Sequence, residues 1–131
     1  MTSPEKFFGF RLGADRKMAR WDKIVEYFRL LEKESGGKLA VVNAGPSTEG
    51  NPFLFVFISS PANIARLEHF RQINLKISDP RGLTEQEVKR LVAEGRAVIC
   101  QTMSLHATEI GGTQMAPELA WDLVTDNGED T

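Results

Sequence analysis

The clearest fold signal in this chain of 131 residues is the run Phe53-Leu54-Phe55-Val56-Phe57-Ile58. Its odd and even positions are apolar alike, which is typical of a β-strand that is covered on both faces. The segment Gly45–Pro52 before it is rich in turn-forming residues, and Leu39–Val42 before that turn is predicted to be a second short strand. Because the connection is short, the two strands are compatible with a hairpin.

Four helices are predicted around this pair of strands, over about residues 16–34, 60–78, 84–94 and 113–124. The first is amphipathic and is followed by Gly36-Gly37, which predicts a left-handed stop. The third has the strongest local signal, because Thr84 and Glu87 have the spacing of a capping box. The fourth contains Pro117, which a helix tolerates near its first turn.

A further buried strand is predicted over Ala97–Leu105. Cys100, the only cysteine, lies in the apolar part of this segment and is therefore predicted to be a buried structural thiol. Strands that alternate with helices indicate the α/β class. We expect a layered α/β/α arrangement with a mixed sheet.

The composition gives no electrostatic reason to expect a highly charged binding partner. A formal net charge of -2, with acids and bases interspersed, predicts neither nucleic acid nor an anionic membrane as a partner. No apolar run reaches the ~18 residues that a membrane helix needs, and the first residues lack the features of a signal peptide. These features and the single cysteine predict a cytoplasmic location.

The segment with the most chemical content is His106-Ala107-Thr108-Glu109, directly after the predicted strand. In open α/β sheets, ligands collect at the carboxyl ends of strands. An imidazole and a carboxylate three residues apart can turn toward one point within a tight turn, and both are good zinc ligands at ~2.0–2.2 Å. The pattern therefore indicates a metal site that contains His106 and Glu109.

Other functional motifs fail at specific residues. The glycine spacing of a P-loop occurs at 45–50, but Asn51-Pro52 replaces the Lys and Ser/Thr that grip phosphate and magnesium. A nucleophile elbow around Ser47 requires Gly where Glu49 stands. His69 has no further ligand at helical spacing on the second predicted helix, so we expect an ordinary surface histidine.

Two segments of the chain resemble the carboxypeptidase A-like zinc metallocarboxypeptidases. Gln101–Glu109 is similar to that family's first zinc-ligand segment, H-x-x-E after a buried strand. The turn Gly45–Pro52 is similar to the family segment G-x-S-x-E-G-R-P, with Asn51 in place of the Arg often found there. The opening Phe7–Phe28 resembles an uncharacterised bacterial branch of the family. The turn matches the family pattern at Gly45, Ser47, Glu49, Gly50 and Pro52.

The resemblance implies that residues 1–131 are the N-terminal portion of a zinc carboxypeptidase-like catalytic domain, truncated after about residue 125. His106 and Glu109 would bind Zn²⁺, while the third ligand (another His) and the general-base glutamate are expected beyond Thr131. The full-length protein would hydrolyse the C-terminal peptide bond of its substrate. The chain alone is expected to be inactive.

Two other functions remain open. Related zinc deacylases, which cleave N-acyl amino acids, contain the same metal motif, so the substrate is either a peptide or an N-acyl amino acid. A metal-free, non-catalytic binding module is the second alternative. A fragment would also leave Ala97–Leu105 with an unpaired edge or exposed apolar faces, so self-association is expected.

Overall fold

The computed structural model describes residues 1–126 and divides the chain into two compact units. The first unit contains Met1–Ile64 and the chain from Thr102 onward, and the second contains Ala65–Gln101. Residues 126–131 form a polar tail in the sequence, and the N–H of its first residue, Asp126, closes the last helix by donating to the carbonyl of Asp122 (2.8 Å). The rest of that tail, residues 127–131, lies outside the described residues.

Within residues 1–126, the first unit has four helices and a hairpin. They are helix α1 (Pro4–Phe8), helix α2 (Trp21–Glu34), strand β1 (Leu39–Pro46), strand β2 (Pro52–Ile58), the short helix α3 (Pro61–Ile64) and helix α6 (Ile110–Thr125). The second unit consists of helices α4 (Leu67–Ser78) and α5 (Glu85–Glu94).

Helix α2 forms where the amphipathic pattern predicts it, but it begins at Trp21 instead of residue 16. Arg16 has a positive φ of 57°, a conformation incompatible with a right-handed helix. Gly36 and Gly37 have φ values of 63° and 84°, which confirms the left-handed stop. The buried face of α2 therefore ends directly before β1.

Strands β1 and β2 form an antiparallel hairpin in which Val41 lies opposite Val56. The structure thus combines helices with a small antiparallel sheet, as expected for a mixed α/β chain. Within residues 1–126 this sheet has two strands. The layered α/β/α arrangement with a mixed sheet stays a prediction.

The prediction that β2 is covered on both faces is wrong for the described structure. Phe53 and Phe55 are 55% and 47% exposed, whereas Leu54, Val56 and Ile58 pack against the core of the first unit. A two-stranded sheet packed on one face leaves alternate side chains in solvent, because successive side chains of a strand point to opposite faces. The apolar character of both faces therefore does not reflect burial here.

The core of the first unit is centred on α2. Ile24, Tyr27 and Leu31 are almost completely buried, and Val124 of α6 joins them. The Tyr27 hydroxyl donates a hydrogen bond to the carbonyl of Thr2 (3.0 Å), so its polar end is satisfied. The buried members of this cluster are Leu12, Ala19, Ile24, Tyr27, Phe28, Leu31, Leu39, Val41, Ala120 and Val124.

The second predicted helix, from Ser60 onward, is broken in the structure into α3 and α4 between Ile64 and Leu67. Phe70 and Ile73 of α4 pack with Leu91 of α5 to form the core of the second unit. The capping box that begins α5 is confirmed. Thr84 Oγ1 accepts from the Glu87 N–H (3.3 Å), and the Glu87 carboxylate accepts from the Thr84 N–H (2.7 Å).

The predicted strand over Ala97–Leu105 does not form, and Cys100 is exposed instead of buried. Ile99 is 95% exposed and Leu105 is 82% exposed. An apolar run becomes a strand only when a neighbouring strand satisfies its backbone groups. In the part of the chain that the structure describes, no strand is paired with this segment.

Helix α6 begins at Ile110, three residues before the predicted start. Pro117 consequently lies about two turns after the helix start, further from the first turn than predicted. The ring of Pro117 is buried, so its packing offsets the hydrogen bond that its missing N–H cannot make. None of the helices in residues 1–126 combines the length and the apolar character needed to cross a bilayer.

Candidate metal centre

His106 and Glu109 lie in a tight turn that leads into α6, and Glu109 is the N-cap residue of that helix. Gly112, in the first turn of α6, explains how the preceding chain approaches so closely. A Cβ at position 112 would lie 3.0 Å from the backbone nitrogen of Ser104 and 3.3 Å from the carbonyl carbon of Met103. The absence of a side chain at Gly112 thus positions the turn against the helix.

The turn brings the two predicted ligands into direct contact. His106 Nδ1 lies 2.6 Å from Glu109 Oε1. The second oxygen, Oε2, accepts hydrogen bonds from the backbone N–H groups of His106 (3.0 Å) and Leu105 (3.1 Å). The Glu109 N–H donates in return to the carbonyl of His106 (3.0 Å). The sequence expectation that this spacing brings an imidazole and a carboxylate together is therefore met, although no strand precedes the turn.

Ser104 closes the same turn from the other side. Its φ of 87° is in the left-handed region, which is uncommon for a residue with a side chain. The Ser104 hydroxyl is within hydrogen-bonding distance of the carbonyls of His106 (3.2 Å) and Glu109. These contacts tie the Ser104 side chain to the backbone of the turn.

The electrostatic environment favours the ionised form of Glu109. The hydrogen bond with the His106 side chain lowers the pKa of Glu109, and the backbone N–H groups of His106 and Leu105 lower it further. Both side chains are open to solvent, at 69% exposure for His106 and 51% for Glu109. The turn therefore presents an anionic oxygen and a ring nitrogen side by side at the surface.

This pair can supply two of the ligands of a zinc ion, but the described residues do not supply a third. Two ligands at ~2.0–2.2 Å in a tetrahedral site are about 3.3–3.6 Å apart, so Nδ1 and Oε1 would separate by up to ~1 Å to admit an ion between them. Exposed side chains can make such a movement. Over residues 1–126, no three His, Cys, Asp or Glu side chains are grouped as a metal site would require.

His69 belongs to a separate arrangement in the second unit. Its Nε2 lies 2.8 Å from Glu94 Oε1, and Glu94 also pairs with Arg66 (3.7 Å) and Arg90 (3.6 Å). His69 is exposed, as predicted for a surface helix histidine. This cluster is a solvated network of alternating charge, in which each pair contributes little.

The segment Gly45–Pro52, which shares the resemblance with the metal motif, ends β1 and starts β2. The Ser47 N–H donates to the Asn51 carbonyl (2.7 Å), and the Asn51 N–H donates to Ser47 Oγ (3.1 Å). Gly50 adopts a φ of 77°, which favours glycine. In the described structure these residues therefore build a hairpin turn, and no hydrogen bond or ion pair there connects them with His106 or Glu109.

One concave feature was not anticipated from the sequence. A shallow depression of about 440 Å³ lies between α1 and α6, with Glu118, Trp121 and Asp122 of α6 on one side and Arg11 on the other. Burial and the nearby Asp122 raise the pKa of Glu118. The spacing of Glu118 and Asp122, four residues apart, was the one available signal that they share a helix face.

Comparison of the chain with models of known protein families, with curated proteins and with solved structures gave no match.

Proposed function

We propose that this chain provides two ligands, His106 and Glu109, to the zinc site of a metallocarboxypeptidase-like hydrolase, and that residues 1–131 alone bind zinc weakly and are inactive. The observation that carries the proposal is the 2.6 Å approach of His106 Nδ1 to Glu109 Oε1 in an exposed turn. A nitrogen and an ionised oxygen that are neighbours in an exposed turn can bind one cation together after separating by up to ~1 Å. The resemblance of Gly45–Pro52 and Gln101–Glu109 to the family supports the choice of hydrolase.

The proposed roles follow from what each residue can do at this turn. His106 donates a neutral ring nitrogen to the ion, and Glu109 donates an anionic oxygen that offsets part of its charge. The backbone N–H groups of Leu105 and His106 hold Glu109 Oε2, so the carboxylate is oriented before an ion arrives. When bound, zinc would polarise the scissile carbonyl of the substrate and activate a water molecule.

Activity of the chain by itself is not expected. A catalytic zinc site normally has three protein ligands and one open position, and a peptide must be held next to a general base. We propose that the third ligand and the base lie in a longer protein, in a layered α/β/α domain with a mixed sheet. Its substrate would be a peptide or an N-acyl amino acid, and its location the cytoplasm, without nucleic acid or membrane as partner.

The first experiment measures zinc binding to residues 1–131 by competition with a chelator of known affinity. Wild-type protein should bind zinc weakly, with His106→Ala and Glu109→Gln both abolishing that binding. His69→Ala is the matched control, because it removes the other histidine and a comparable carboxylate contact (2.8 Å). Equal loss of binding in His69→Ala, or no zinc binding in the wild type, would overturn the ligand assignment.

The second experiment tests the inactivity of the isolated chain. Zinc-loaded protein is incubated with a simple peptide and with an N-acyl amino acid, and release of the free amino acid is measured. We expect no turnover of either substrate. Tight stoichiometric zinc that survives dialysis, or turnover of a peptide, would show that the chain or a second copy completes the site.

A metal-free binding module is the second candidate, and one observation favours it. Both oxygens of Glu109 are already engaged inside the turn, Oε1 with the His106 ring and Oε2 with two backbone N–H groups. This network can hold the turn before α6 together without any ion, because its donors and acceptors all lie within residues 105–109. Under this alternative, zinc would bind no better to the wild type than to His106→Ala.

A further inference from the structure

The two edges of the sheet differ in how their backbone groups are satisfied. On the outer edge of β1, the Val41 N–H donates to Glu32 Oε1 (2.7 Å), and the Val41 carbonyl accepts from Arg29 Nη1 (2.9 Å). The Leu39 N–H donates to Ser35 Oγ (3.2 Å) on the same edge. Side chains from α2 and the residue that follows it therefore close this edge to other strands.

Among residues 1–126, no group pairs with the outer edge of β2. The N–H and C=O groups of Val41 point away from β2, and Val41 lies opposite Val56. Opposite residues in an antiparallel ladder share the same orientation, so Leu54, Val56 and Ile58 point their N–H and C=O groups away from β1. The hydrogen bonds of residues 1–126 include none to these outward groups.

Strand β2 also lacks the features that keep an edge strand from pairing. Residues 52–58 contain no charged side chain, and their one proline, Pro52, stands at the first position. The register shift in the hairpin lies at its turn end, beyond Asn43. Edge strands are usually blocked by charges, prolines or bulges, so an apolar edge without them is available for another strand.

We propose that β2 pairs with β2 of a second copy of this chain, antiparallel and centred on Val56. This register places Leu54 opposite Ile58 of the second copy, and all outward backbone groups of the three edge residues find partners. The strand can pair with a copy of itself, because it has no charged side chains that would repel those of the second copy. The antiparallel arrangement has twofold symmetry. The result is a four-stranded sheet in which each β1 is an outer strand.

The exposed aromatic face of β2 favours the same partner. Phe53 and Phe55 have their ring centroids 5.7 Å apart, and those of Phe55 and Phe57 are 6.3 Å apart, which forms a row of rings along the strand. In the proposed register, Phe55 lies opposite Phe57 of the second copy. Aromatic pairs across strands stabilise a sheet, so the row continues from one copy into the next.

The size of this contact sets the expected strength. One seven-residue strand edge covers much less than the roughly 1,200–2,000 Å² that specific stable interfaces bury. We therefore expect a weak dimer with a dissociation constant on the order of 10–100 μM. Self-association was predicted from a strand at Ala97–Leu105, but that segment forms no strand. The proposal therefore places the association on β2.

The test is sedimentation of the full 131-residue chain from roughly 1 to 500 μM, a range that brackets the expected dissociation constant. Phe55→Lys introduces a charge at the pairing edge on an exposed position, and we expect at least a tenfold weaker dimer. Val42→Lys is the matched control, because Val42 is 45% exposed on the same face but belongs to β1. Circular dichroism confirms that both variants are folded.

Hydrogen exchange provides the second measurement. The amides of Leu54, Val56 and Ile58 should gain protection as the concentration rises, whereas those of Phe55 and Phe57 should be protected by β1 throughout. A wild type that stays monomeric at 500 μM would overturn the proposal. Equal weakening by Val42→Lys would indicate packing of the aromatic faces and would also overturn it. Concentration-independent protection of the three edge amides would show that a segment of the same chain covers the edge.

Discussion

The side chain of Glu32 closes the outer edge of β1, and its removal should destabilise the first unit measurably. Glu32 Oε1 accepts the Val41 N–H at 2.7 Å, and Oε2 lies 3.3 Å from Arg29 Nη1, which itself donates to the Val41 carbonyl. In Glu32→Ala the Val41 N–H loses its acceptor, and Arg29 loses the anion that holds it in place.

The magnitude follows from these contacts. A hydrogen bond to a charged group contributes about 1.5–3 kcal/mol. The Glu32 side chain is 33% exposed, so water can replace part of the lost contact and the lower end of that range applies. The ion pair with Arg29 adds about 0.3–0.5 kcal/mol, and the better helix propensity of alanine offsets a similar amount. We expect Glu32→Ala to lower the free energy of unfolding by about 1–2 kcal/mol.

The assay is urea denaturation followed by circular dichroism, with Glu32→Gln as the control. Glutamine keeps an oxygen near the Val41 N–H but removes the charge, so it should cost about half as much as alanine. Exchange of the Val41 amide should accelerate in Glu32→Ala and remain slower in Glu32→Gln. A change below ~0.3 kcal/mol for Glu32→Ala, with no faster exchange at Val41, would refute the closed edge.

Two further predictions concern local structure. Thr84→Ala removes the acceptor for the Glu87 N–H and should destabilise the second unit by about 1 kcal/mol, measured as a lower urea midpoint; an unchanged midpoint would contradict a role for the capping box in stability. The backbone N–H of Thr2 donates to Glu34 and lowers the pKa of that carboxyl, so the folded state favours ionised Glu34. The stability that ionised Glu34 adds to the folded state is therefore present above pH ~4.5 and is lost as the pH falls below that value. Glu34→Gln should accordingly lose less stability than the wild type between pH ~5 and pH ~3, and parallel acid profiles for the two proteins would exclude this contribution.

Several features follow from short-range sequence signals. The stop after α2, the capping box of α5 and the hairpin turn at Gly45–Pro52 depend on residues within five positions of one another. Their hydrogen bonds close locally, so no distant part of the chain is needed to form them. The contact between His106 and Glu109 belongs to this class, because their spacing within one turn suffices to bring the two side chains together.

Other features depend on partners that sequence patterns do not identify. The segments Phe53–Ile58 and Ala97–Leu105 are both predicted to be buried strands, but the first pairs with β1 and the second forms no strand. A strand satisfies its backbone groups only through another strand, and hydrophobicity does not reveal whether one is available.

The sequence by itself therefore determined the mixed α/β class, the ends of the locally capped helices and the proximity of the two candidate ligands. Only the tertiary structure decided which apolar segments are paired, that Phe53 and Phe55 on β2 are exposed, and that Cys100 lies at the surface. The physical reason is the range of the interactions. Caps and turns form between near neighbours, whereas the burial of an apolar face requires a surface that distant residues supply.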